Sequence, residues 1–244
     1  MGRQRGSTQF NCFSPPVMLA TFIIEIVLAA YTLWRYKLDM LGRLVCTCLV
    51  ALALFQLCEY NVCGGFGLRA EAWARIGFVA ITLLPPLGLH ILHVLAGKPA
   101  RWLVGAAYAT MAAFLVYFSW VPGAFSGFAC TGNYDIFQVN TTAGGFYGAY
   151  YYGWLLVAIC LGVWWADRLQ AAKKPARTRL LAVRALIVGY LVFLVPTALA
   201  NTVRPETRRG IPSIMCGFAV LFALILVLYI MPKIGRRRAV DEHK

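Results

Sequence analysis

Apolar residues fall into seven long blocks, residues 17–36, 44–62, 73–96, 102–125, 146–169, 180–203 and 211–234, each closed by a short polar or basic stretch. Every block approaches or exceeds the ~20 mostly apolar residues that a helix needs to cross a bilayer. The pattern predicts an all-α fold, a polytopic membrane bundle of seven transmembrane helices forming a single domain over 1–244. Residues 1–16 precede the first span, 126–145 form the one long connection, and 235–244 make a basic tail. The other connections are short, so consecutive helices are expected to run antiparallel and adjacent.

The third block carries a proline pair, Pro85-Pro86, near its middle. Proline frees backbone carbonyls, which at membrane depth survive only against packed protein or a wet cavity. A kinked, central third helix follows, and Pro196 predicts a second kink in the sixth. The first apolar run begins after Arg3 and Arg5, as a signal peptide would. It is too long for a typical signal core and lacks a small-residue cleavage site, so it reads as a retained helix.

Composition agrees: 61% of residues are hydrophobic, 13% are charged and the mean hydropathy is +0.70. That leaves no room for a large soluble domain. The net charge of +14 would suit nucleic acid, but the cations lie in short blocks between spans, where they orient helices. No nucleic-acid partner is expected. Alternate connections hold sixteen Lys and Arg (Arg35, Lys37, Arg43, Lys98 and Arg101, then 168–184 and 233–244) against seven on the other side. The bias places the N-terminus outside and the C-terminus in the cytoplasm of a cell membrane, as in a bacterial inner membrane. The basic stretches 168–179 and 236–238 then face anionic lipid.

Two carboxyls lie inside spans. Glu25 is about 12 Å into the first helix at ~1.5 Å per residue, and Glu59 is near the outer end of the second, with Gln56 on the same face. An ionisable side chain at such depth costs at least ~2.5 kcal/mol, so it faces the bundle and suggests function. The bland reading is a protonated carboxyl bonded to a neighbouring helix. Glu25, Gln56, Glu59 and Asn201 are the candidate ligand-binding residues, lining an outward-facing polar cavity for a cation, an amine or protons. His90 and His93, at i and i+3 in the inner half, are the candidate metal ligands. They lie too deep to meet Glu59, and Cys46 and Cys48 point to different helix faces, so too few ligands converge for a soft N/S site. The competing reading has His90 bonding carbonyls released by Pro85-Pro86 and His93 reaching the inner interface. No catalytic residue is assigned, and no cofactor is identified. The seventh span has no internal lysine of the retinal-binding kind. Eight cysteines include no CxxC pair. Cys12, Cys63 and Cys130 fall on the oxidising side, where Cys63–Cys130 is the expected disulfide and Cys12 an alternative partner. The aromatic run 146–154 reads as an interfacial belt.

The third-span residues Trp73-Ala74-Arg75, Leu83-Leu84-Pro85-Pro86-Leu87, Leu89-His90 and Leu95-Ala96-Gly97 resemble the corresponding segment of the seven-transmembrane input region of bacterial histidine kinases. The resemblance covers about one helix in seven and implies a sensor fold. No kinase domain follows the seventh span, so no catalytic residue carries over. The leading reading is a non-enzymatic membrane sensor or accessory protein that signals to, or assembles with, a separate membrane or signalling protein. Two rivals stay open: a small-molecule or proton-coupled transporter using the same carboxyls, and a membrane enzyme acting on lipid or quinone through His90 and His93.

Overall fold

The computed structural model describes residues 15–64, 67–99, 101–130, 135–139, 141–172, 176–203 and 211–237, with the backbone alone at 15, 63, 64, 101, 126–130, 135–138 and 141. Its helices are α1 (Pro15–Arg35), α2 (Met40–Gly64), α3 (Ala70–Thr82), α4 (Leu84–Ala96), α5 (Arg101–Trp120), α6 (Thr141–Gln170), α7 (Arg177–Val203) and α8 (Ile211–Leu224). A π-helical turn, Ile225–Ile230, and the short α9 (Met231–Ile234) continue α8. Among the described residues, seven spans are long and apolar enough to cross a membrane, with α3 and α4 sharing one span and α8 to α9 another. The seven-helix expectation therefore holds.

Helix α1 shows how the sequence chooses its faces. Met18, Thr21, Glu25, Leu28, Ala29 and Thr32 are buried, whereas Ile23, Ile24, Ile26, Val27 and Trp34 are exposed. The buried set recurs at three- and four-residue spacing, one stripe of a helix whose other faces suit lipid. The second and third spans are the most enclosed, with 72% of each apolar window buried, against 33% for the first and 11% for the fourth. Accordingly α2 packs on α1, α3, α4 and α8; α4 also packs on α6 and α7, and α8 meets α1 to close the ring. Helix α5 lies outside this ring against α3 and α4. Small residues set the closest approaches: a Cβ at Gly77 would come within 3.1 Å of Cys58, and one at Gly189 within 2.7 Å of Phe222. Close packing of this kind is one of the forces that associate helices in lipid.

Three features depart from the expected outline. The third span is two helices broken at Leu83, where the Leu83 amide turns back to the Ala80 carbonyl, because Pro85 and Pro86 cannot donate to the preceding turn. The fourth helix ends at Trp120 rather than 125; a turn containing Gly123, φ +73°, stops it. The long connection then folds into an antiparallel hairpin, β1 (Phe125–Cys130) and β2 (Asp135–Val139), with a register irregularity between Phe125 and Gly127. Phe125 packs its ring on Phe78 and Phe118, and β1 lies against α2. This side of the bundle is the hairpin end. The opposite one, where α1, α4 and α6 finish and α2, α5 and α7 begin, is the basic end. There the Lys37 amide donates to the Arg236 carbonyl at 2.7 Å, in an isolated bridge that pairs Tyr36 with Arg237.

Candidate functional site

Glu25 is the centre of the α1 stripe and has no exposed surface. Neither of its carboxyl oxygens has a hydrogen-bond partner among the described residues. The nearest polar neighbours along its own stripe are engaged with the helix backbone. Thr21 donates to the Met18 carbonyl at 2.9 Å and Thr32 to the Leu28 carbonyl at 2.8 Å. On α2, Gln56 and Glu59 are equally enclosed, at 2% and 1% exposure, and Asn61 donates to the Leu57 carbonyl at 2.8 Å. Asn201, near the end of α7, is half-buried.

Cysteines lie in the neighbourhood of these carboxyls. Cys216 of α8 lies within charge-interaction range of both Glu25 and Glu59, Cys48 of α2 within range of Glu25, and Cys58 within range of Glu59. Tyr190 of α7 is in turn within range of Cys48. Cys48, Tyr190 and Cys216, together with Gly88, Tyr151 and Met215, line a partly enclosed cavity of about 30 Å³ at the junction of α2, α4, α6, α7 and α8. The cavity is small and largely apolar, and none of Glu25, Gln56, Glu59 and Asn201 lines it.

The broken third span has its own polar support. Pro86 cannot donate to the Thr82 carbonyl, and the Tyr150 hydroxyl of α6 does so instead, at 2.7 Å. Tyr147 meets the Thr82 hydroxyl at 3.1 Å, and that hydroxyl bonds back to the Phe78 carbonyl. His90 is not the group that satisfies the break: its Nδ1 pairs with the Tyr108 hydroxyl at 3.2 Å. His93 does not reach the basic end. It is 4% exposed, its Nδ1 is 2.8 Å from the Leu89 carbonyl, and its ring stands edge-on to Trp165. Among the described residues no three His, Cys, Asp or Glu side chains converge as a metal site would require.

Tyr147, Tyr150, Tyr190 and Cys216 are the residues that sequence reasoning missed. The two first belong to a run read as an interfacial belt, yet they are 7% exposed and packed with Phe114 and Phe118. A proline pair whose carbonyls need donors, facing a tyrosine-rich helix, was the available signal. Tyr190 and Cys216 carried none. Cys12 lies outside the described residues, as do the side chains of Cys63 and Cys130, and with them the expected disulfide. The described cysteines, Cys46, Cys48, Cys58, Cys160 and Cys216, are free thiols.

No protein-family model matches this chain, and a search of curated proteins finds no significant relative.

Proposed function

We propose that this chain is an integral-membrane sensor or accessory protein, in which a change at the buried Glu25 region is passed to a separate protein docked on the basic end. The basic end faces the cytoplasm of a bacterial cell and also binds its anionic lipids. The observation that carries the reading is the lone, fully buried Glu25 carboxyl. Stability gives no reason to keep such a group at membrane depth, and ionisable residues there mark functional sites by default. A charge held without a partner in this setting is costly. Gaining or losing its charge changes its energy enough to bias a two-state arrangement of the helices around it.

The bundle contains three deformable elements: the break at Leu83, Pro196 within α7, and the π turn Ile225–Ile230. Irregular turns of this type recur where helices must adjust. The adjoining cavity accommodates a water-sized group, not a solute in transit, which favours sensing over carriage. The pairing of Tyr36 with Arg237 joins the last helix to the α1–α2 connection, so movement of the core helices reaches a single basic surface. The likeness of the third span to kinase input regions agrees with this reading.

The test is gentle purification of wild type and Glu25→Gln from native membranes, with reconstitution of both into liposomes. A stoichiometric protein partner, altered by Glu25→Gln, with no solute or proton flux, is the expected result. Flux that Glu25→Gln abolishes would replace the sensor by a carrier.

A further inference from the structure

The Tyr190 hydroxyl is a buried polar group with nothing to bond. The residue is 2% exposed, and its oxygen has no hydrogen-bond partner among the described residues. Burying a hydroxyl in this way costs about 1–3 kcal/mol, and native proteins rarely leave one so. The hydroxyl lies against the Cα of Gly88, so closely that a Cβ there would fall on the oxygen, and both residues line the 30 Å³ cavity. A cavity needs roughly 10–15 Å³ to admit one water, and the water needs two to four polar partners. The same wall supplies them: the Tyr190 hydroxyl as donor or acceptor, and the thiols of Cys48 and Cys216 as weaker partners.

We infer that this cavity is a buried water site, holding water on the Tyr190 hydroxyl with Cys48 and Cys216 beside it. Gly88 is the residue that keeps the site open, because any side chain there takes the place of the water. An apolar ligand of the same size would leave the hydroxyl unpaired, so the chemistry selects water over a small apolar molecule.

Radiolytic hydroxyl-radical footprinting of the full chain in lipid nanodiscs tests this, since radicals formed on a trapped water mark the side chains around it. Met231 is 0% exposed and is absent from the cavity wall, so it serves as the dry reference. Tyr190 and Cys216 are expected to be modified several-fold faster than Met231; modification no faster than Met231 overturns the site. Gly88→Ala is expected to lower both rates several-fold, and unchanged rates overturn the assignment to this cavity. Should Gly88→Ala fail to fold, Tyr190→Phe gives the same decision through Cys216 alone: its labelling falls if water is held by the hydroxyl, and an unchanged rate refutes it. The outcome concerns what the cavity holds and leaves the partner and flux measurements on Glu25 to decide the sensor reading separately.

Discussion

Replacing Glu25 by leucine should make the folded bundle more stable while abolishing its function. The side chain is fully enclosed, with neither carboxyl oxygen bonded among the described residues. A buried polar group without a partner carries a desolvation cost of about 1–3 kcal/mol. Leucine fills nearly the same volume and adds apolar contact with α2 and α8, the helices against which α1 packs. The expected gain is therefore about 1–3 kcal/mol, or about a 5- to 150-fold rise in the ratio of folded to unfolded protein. Glu25→Gln keeps the shape and the polar burden, so it should fall within about 1 kcal/mol of wild type. Reversible unfolding in mixed micelles, followed by tryptophan fluorescence, reads both values. Destabilisation by Glu25→Leu of 1 kcal/mol or more would refute the reasoning, because it would mean that the carboxyl makes a bond worth more than its burial costs.

Other consequences are open to direct measurement. Tyr150→Phe removes the donor to the Thr82 carbonyl and should cost about 0.5–2 kcal/mol in the same unfolding assay, in the range measured for hydrogen bonds between membrane helices and for buried carbonyls; no change would show that the break finds another donor. Gly97 closes α4 at φ +63° with the Arg179 guanidinium against it, so Gly97→Ala meets both backbone strain and a clash, costing at least about 1 kcal/mol by the same titration. Arg75 donates to the Phe118 carbonyl at 2.9 Å and the Val121 carbonyl at 3.1 Å while paired with Glu71, tying α3 to the end of α5. Arg75→Ala should cost about 1 kcal/mol, modest because the pair is partly exposed. Arg75→Lys should recover less than half of that loss, since one ammonium cannot span both carbonyls. On the proposed topology, with the basic end cytoplasmic, an impermeant thiol reagent should in intact cells label Thr142→Cys and spare Asp39→Cys; the reverse pattern would invert the proposed topology.

Much of the bundle was legible because transmembrane helices announce themselves by length and apolar content, which depend on no tertiary contact. The inward face of α1 was readable from Glu25 alone, since no other residue in that helix needs so strongly to avoid lipid. The break at Leu83 was legible as a kink, though not as two helices, because a proline pair removes two successive donors and its effect depends on what replaces them. The replacement came from Tyr150, sixty-eight residues away, a pairing that periodicity does not encode. The same limit applied to His93. Its position near the end of α4 suggested reach to the interface, but Trp165 of α6 covers its ring, and that contact is set by helix packing. The hairpin 125–139 was hidden because its strands are short and lie between spans. The cavity of Gly88, Tyr190 and Cys216 joins three helices at residues that are individually ordinary.

The most direct test of the sensor reading is site-specific photo-crosslinking in native membranes, with the photoreactive residue placed at Lys37 or Arg236 where the tail meets the α1–α2 connection. The account predicts one protein crosslinked from this surface, in a yield that changes when Glu25→Gln is introduced more than 10 residues away in α1. Capture of no protein from either position, or a yield indifferent to Glu25→Gln, would contradict it.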